Sequence, residues 1–331
     1  MLLMQLNKLN FKNKRIYFYR IVLLLKFLQK MFEVGIKAWH YAKTAFSTEK
    51  PKYLRRQQYK SFILSLWNYG MSQYWFSILE NDRYREILVY RPRLFLKPFK
   101  AYLSTRYGIR RKIKIICDTY DFIYDHGIEK VIQKDDSVIC EFSLKNSLPG
   151  RLEIGYDDRY RKEGELVFSL VIDQLHGKIA SVSFSLEKSE KDEWVCRIGC
   201  LQGRPPINGT YVTKEAQKFM YGIRPKSFLI EMLQGFCKEF DVRLIMGIGG
   251  KYQAQNKKHF VHLPFIHTIC FSYDDFWKEI GGRDHGGGWY LLPLEITRKS
   301  MGEIKSEKRS SYKKRYALMD SVKASLSDYL K

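Results

Sequence analysis

Hydrophobic positions follow two regimes along this chain. Ahead of residue 130 they recur every three or four positions. Phe62, Ile63, Leu66, Tyr69, Trp75 and Phe76 trace a helical face between Tyr59 and Leu79, with a break near Gly70. A further helix is predicted from about Ser104 to Tyr124. Between them, Tyr90–Pro98 reads as an extended connector, because a residue that precedes proline is pushed away from helical dihedrals. From Val138 the period drops to two. Val138–Leu144 and Arg151–Ile154 predict strands, and Glu165–Ile172 with Ile179–Leu186 predict an antiparallel hairpin turning at His176-Gly177-Lys178. Ser181, Ser183 and Ser185 give that hairpin one polar face, and Trp194–Leu201 predicts a third strand.

The period then returns to helical. After Arg204-Pro205-Pro206, Gly209 and Thr210 open a helix that runs to Met220. Tyr221-Gly222-Ile223-Arg224-Pro225 breaks it, with Gly222 suited to ending one helix and Pro225 to starting the next. Arg243–Met246 predicts a short buried strand, Asp274–Ile280 a helix ending at Gly281-Gly282, and Gly288–Leu292 a closing strand. A Lys/Arg/Ser-rich tail, Lys305–Arg315, precedes a last amphipathic helix. The predicted architecture is α+β (α/β). A basic, mainly helical region (1–130) is followed by a mixed, largely antiparallel sheet domain (131–300) and a basic tail with its helix (301–331).

Charge changes the picture next. Fifty-eight Lys and Arg against 35 Asp and Glu leave a formal +23 in 331 residues, which favours polyanions: nucleic acid, an anionic membrane surface or a phosphorylated ligand. The excess is greatest near the front, where residues 1–60 hold 14 basic residues against Glu33 and Glu49. The apolar run Ile21–Leu25 is ended by Lys26, far short of the ~20 residues a spanning helix needs. No small-residue cleavage site follows it, so a signal peptide is not expected. Lys14–Lys43 is instead a basic amphipathic stretch, which either packs on the body or attaches to an anionic membrane surface. Six dispersed cysteines form no C-x-x-C pair, and the spacing of Cys196 and Cys200 puts both on one strand face. Reduced thiols and a cytoplasmic location, peripheral at the inner membrane if the basic stretch docks there, are expected.

Candidate chemistry gathers where the third strand ends. In open α/β sheets ligands lie beyond the carboxyl ends of strands, against helix N-termini. Gln202, Gly203 and Arg204 fall at such an end. Gly203 admits close approach of a ligand, and Arg204 with Arg224, beside Gly222, forms a candidate clamp for a phosphate or carboxylate. Glu163 and Glu165, flanking Gly164 at a strand start, are candidate general bases, the alternative being a solvated turn. Asp118, Asp121, Asp125 and His126 read as a solvated helix face rather than a metal site. His259 and His262, with His267 and His285 nearby, lack a completing Cys or carboxylate for zinc. Gly247-Ile248-Gly249-Gly250 follows a strand without a full dinucleotide fingerprint.

The order of elements resembles that of the GNAT acyltransferases, and the resemblance implies acyl-coenzyme A as a cofactor held at the loop after the strand. The usual glycine spacing of that loop is absent, and Pro205 and Pro206 remove backbone donors. A more specific resemblance rests on an ordered set of segments: Glu163-Gly164-Glu165-Leu166, Ile198-Gly199-Cys200-Leu201-Gln202-Gly203, Tyr221-Gly222-Ile223-Arg224-Pro225-Lys226, Tyr273-Asp274-Asp275-Phe276-Trp277, Gly281-Gly282 and Lys308-Arg309-Ser310-Ser311-Tyr312. Across roughly residues 60 to 320 the chain resembles the VirK/YbjX family of Gram-negative bacteria, departing from it at Tyr221 and Cys200. That resemblance implies a role in virulence, resistance to cationic antimicrobial peptides and envelope or stress responses. It carries over no substrate and no catalytic residue. A non-enzymatic nucleic-acid-binding or regulatory protein and a peripheral membrane adaptor stand beside the enzyme as readings.

Overall fold

The computed structural model describes residues 11–133, 136–207, 211–256 and 272–331. Packing divides the chain into two compact units, Met1–Phe99 and Lys100–Lys331.

The first unit is helical. A long helix α1 (Phe11–Ala45) turns back into α2 (Pro51–Trp67), followed by α3 (Tyr69–Leu79), α4 (Asp82–Tyr90) and a 3-10 helix, Pro92–Phe99. Edge-on ring pairs Trp39–Tyr59 and Phe32–Phe62 join α1 to α2. The helical break falls at Asn68, two residues before Gly70, where the Asn68 side chain donates to the Leu64 carbonyl at 2.9 Å. Tyr90–Pro98 is not an extended connector. Pro92 fixes φ near the value a helix needs at its start, and Leu94, Phe95 and Leu96 are buried, with Trp75 Nε1 donating to the Phe95 carbonyl at 2.9 Å.

The second unit begins with α5 (Ile109–Asp125), the short α6 (Lys130–Gln133), β1 (Asp136–Ser143), β2 (Pro149–Gly155), β3 (Leu166–Ile172), β4 (Gly177–Lys188) and β5 (Trp194–Gly203). Two helices, α7 (Val212–Phe219) and α8 (Pro225–Glu239), cross over to β6 (Leu244–Ile248). Then come α9 (Tyr273–Glu279), β7 (Arg283–Gly286), β8 (Trp289–Leu292) and α10 (Ser306–Leu330). Among the described residues the strands form one sheet of order β1-β2-β3-β4-β5-β6-β8-β7. Its neighbours are antiparallel except β5 and β6. A helical region followed by a largely antiparallel mixed sheet is the α+β class the periodicity predicts. The basic stretch Lys308–Arg315 is part of α10 rather than a tail ahead of it.

Both faces of the central sheet are covered. Phe168 and Phe184 pack edge-on against Phe236 of α8, and Phe122 of α5 joins the same aromatic layer. The opposite face carries Ser169, Ser181, Ser183 and Ser185, and it is not solvated: all four are buried. Tyr102 lies over it and shares a 2.8 Å hydrogen bond with Ser185. Ser169 and Ser181 share a 3.0 Å hydrogen bond there, and small polar side chains let a second layer sit close.

Candidate functional site

The parallel pair β5/β6 is short. Val195–Ile198 pair with Leu244–Gly247, and beyond Ile198 the strand β5 keeps β4 on one side with no ladder to β6 on the other. The register slips at the same place: Ser183 faces Cys200 and Phe184 faces Ile198, leaving Gly199 as the extra residue of a bulge. A side chain at Gly199 would overlap the Glu163 carbonyl, and one at Gly164 would meet the backbone of Phe184. Glu163-Gly164-Glu165 therefore lies flat on β4 and β5, which is possible only because both glycines lack Cβ. The bulge also reverses side-chain parity. Cys196 points to the helical side, against Cys237 of α8, while Cys200 lies with Tyr160 and Val167 on the serine side. The expectation of one shared face fails because the spacing rule assumes an unbroken strand.

Tyr273, the first residue of α9, reaches the strand edge that β6 leaves. Its hydroxyl accepts from the Leu201 N–H at 3.1 Å and donates to the Leu201 carbonyl at 3.1 Å, with Cys200 Sγ 3.5 Å away. A phenol thus replaces the ladder bonds of a neighbouring strand. Burial, then the Cys200 charge, pushes the Tyr273 phenol well above its usual range. The Cys200 thiol is pushed up to about 12, by burial first and then by Glu163. Tyr160 rises to about 12 by burial and by Cys200. All three are proton-bearing donors near neutral pH, and Cys200 is no thiolate nucleophile. Lys226, on the first turn of α8, is driven the other way: burial lowers its ammonium to about 8.

Glu163 and Glu165 are buried, at 2% and 3% exposure, so neither belongs to a solvated turn. The Glu165 N–H donates to the Phe184 carbonyl and the Ser185 hydroxyl, and its carboxylate accepts from the Tyr120 hydroxyl at 3.1 Å. Gln202 is exposed at the strand end, opposite Ser181. At Gly203 the space of a missing side chain is occupied by the Thr213 methyl, with Lys226 Cε just beyond. Arg204 caps the β3–β4 turn: its N–H donates to the Ile179 carbonyl at 2.8 Å and its guanidinium to His176 O. Gly222, at φ +85°, ends α7, and the Arg315 guanidinium of α10 fills the space beside it while donating to the Tyr221 carbonyl at 3.0 Å. Arg224 makes a two-pronged pair with Glu279 of α9 at 2.6 and 2.9 Å. The two arginines are thus held by different elements.

Asp118 accepts from the Lys188 N–H at 2.9 Å and from Lys114, an ordinary structural role. Among the described residues no three His, Cys, Asp or Glu side chains converge as a metal site. His259, His262, His267, Cys270, Gly209 and Thr210 lie outside the described residues. Tyr273, Lys226, Tyr160 and Cys200 join the site without having been candidates in the sequence. Three of them stand inside motif segments, which was the available signal; only the fold brings them together.

A family model described as "Protein of unknown function (DUF535)" matches residues 50–328. An uncharacterised protein of Haemophilus influenzae is 34% identical over 125 residues, 38% of this chain and 40% of its own length. A second from the same organism is 32% identical over 126 residues with the same coverage, so the match spans about two fifths of either relative. The uncharacterised protein YbjX of Escherichia coli is 23% identical over 280 residues, 82% of this chain and 83% of its own. No solved structure matches the chain. No helix of the described residues is long and apolar enough to cross a membrane.

Proposed function

This chain belongs to the VirK/YbjX (DUF535) family of proteins of unknown function, and we propose that it is an acyl-coenzyme A-dependent acyltransferase that supports envelope maintenance. The observation that carries the reading is the parting of β5 from β6 after Ile198, beside a bulge and a buried polar cluster. A strand edge without a ladder, at the carboxyl end of a parallel pair, suits the amide-bearing arm of an acyl-coenzyme A lying alongside it. The residues fit such a ligand in part. Leu201 offers an N–H and a carbonyl that Tyr273 now holds, and Lys226 supplies positive charge near the strand end. Pro205 and Pro206 offer no N–H, so side chains rather than a loop would meet the phosphates. A clamp of Arg204 and Arg224 would require both to leave their present partners.

The chemistry follows from the protonation states. Bound acyl-coenzyme A supplies a thioester carbonyl as the electrophile. An amine or hydroxyl acceptor attacks it while its proton passes to a buried carboxylate, Glu163 being beside Cys200 and Glu165 already bonded to Tyr120. The C–S bond breaks, and Tyr273, which keeps its proton at neutral pH, donates it to the departing thiolate. Roles in virulence and in resistance to cationic antimicrobial peptides are the consequences this reading would give to acylation of an envelope component.

Titration calorimetry of the whole chain with acetyl- and longer acyl-coenzyme A tests it. The expected result is saturable binding, with Tyr273→Phe retaining binding and slowing transfer to an amine acceptor by about a hundredfold. No heat with any acyl-coenzyme A would overturn the proposal.

A further inference from the structure

In α2 the usual distribution of side chains is inverted. Its buried residues are Gln57, Gln58, Ser61 and Ser65, whereas Tyr59, Ile63 and Trp67, four apart and so on one face, are exposed at 60%, 60% and 86%. Apolar side chains exposed together on one face mark an interaction surface, whereas a lone exposed aromatic would need no explanation. Here the neighbouring helix also exposes apolar side chains, although its buried face is apolar too. On α1, Ile21, Leu25, Leu28, Phe32 and Ile36 recur at helical spacing along one exposed stripe, beside the separate face that buries Val34, Ala38 and Ala42. The Trp39–Tyr59 ring pair, centroids 5.0 Å apart, joins the two stripes into one surface on this helical unit.

The charges on the surface are predominantly basic. Lys52, Arg55, Arg56 and Lys60 are exposed on α2, which contains no carboxylate. On α1, Arg20, Lys26 and Lys30 are exposed, and between Phe18 and Ala45 the one acidic residue is Glu33, which accepts from Gln29. Lysine and arginine stems can lie along an apolar surface while their heads reach outward to anions.

We propose that this α1–α2 face docks in the plane of an anionic lipid bilayer, with the aliphatic and aromatic side chains in the acyl boundary and the cations among the headgroups. The chemistry chooses the occupant. A second copy would set the same cations against each other. A nucleic acid would neutralise the cations but leave Ile21, Leu25, Leu28 and Ile63 in water. An anionic bilayer alone satisfies both the charge and the apolar area. This face lies within Met1–Phe99 and does not depend on the acyltransferase reading of the other unit.

The test is flotation of the full chain with vesicles of phosphatidylglycerol and phosphatidylcholine in equal parts, against phosphatidylcholine alone. Two variants are compared: Ile63→Ser with Trp67→Ser, and Lys52→Glu with Arg56→Glu and Lys60→Glu. All these side chains are exposed, so unchanged thermal unfolding is expected and confirms that the variants are folded. Wild type should float with the anionic vesicles and not the neutral ones, and each variant should lower the bound partition by about tenfold or more. Raising the salt should release the wild type, a readout that needs no variant. Failure of the wild type to float at low salt would overturn the proposal, as would variants that bind like wild type. A dimer in solution that dissociates on Ile63→Ser with Trp67→Ser, without vesicle binding, would assign the face to a second copy instead.

Discussion

Lys226 lies against Gly203 at the end of β5, and its burial has a measurable consequence. In the unfolded chain a lysine keeps its proton to about 10.4, while in the fold this one loses it near 8. Between those values the unfolded state binds more protons, so this group makes the unfolding free energy rise with pH. Below about 8 both states are protonated and the full penalty of a buried ammonium is present. Guanidinium melts across pH 7 to 10 should therefore show a rise that Lys226→Met removes; an identical profile in the variant would show that the amine is well solvated. The carboxylate pair Glu163 and Glu165 was visible in the sequence, yet its burial was not. A Glu-Gly-Glu segment reads as a solvated turn until Gly164 and Gly199 are seen to let two backbones touch. Tyr273 was hidden for a similar reason: its role comes from a strand edge that periodicity does not describe.

At the scale of elements, the bulge in β5 determines most of what the site contains. It ends the parallel ladder, turns Cys200 to the serine side and brings Glu163 onto the sheet. Gly199→Ala should be disproportionately costly, because the new Cβ meets the Glu163 carbonyl rather than a movable side chain. A loss above about 2 kcal/mol in chemical denaturation is expected, beyond what an ordinary surface substitution gives. A loss below half that would mean the Glu163 loop shifts freely. The strands themselves were legible because alternation over seven or eight residues needs little context. β7 was missed: its residues are all exposed, so Arg283–Gly286 has no apolar rhythm, and only pairing with β8 makes it a strand. The polar face of the β3–β4 hairpin is legible in the sequence as polar, but its burial is not. Composition reports the side chain, while Tyr102 and the Glu163 loop that cover it come from elsewhere in the chain.

At the scale of the molecule, the +23 charge does not select a partner until it is seen beside neighbouring side chains. In the helical unit the cations are interleaved with exposed aliphatic and aromatic groups; around β5 the half-buried amine of Lys226 lies near the proton-bearing Cys200 thiol. The family motifs divide in the same way. Segments around Glu163, Gly199, Gly222, Tyr273 and Ser311 all fall in the second unit, and several touch one another: Tyr273 bonds Leu201, Arg224 bonds Glu279, and Ser311 and Arg315 reach the Tyr221 carbonyl. The sheet unit has its own aromatic core around Phe168, Phe184 and Phe236, so a chain beginning at Lys100 should fold cooperatively. It should also keep any acyl-coenzyme A binding of the whole protein while losing flotation with anionic vesicles. Circular dichroism melts, calorimetry and flotation on that shortened chain measure the three separately. Retained flotation would move the membrane face out of α1 and α2. Loss of cooperative unfolding would mean that the sheet unit needs the helices for its stability, and that the two activities must be separated by point substitutions instead.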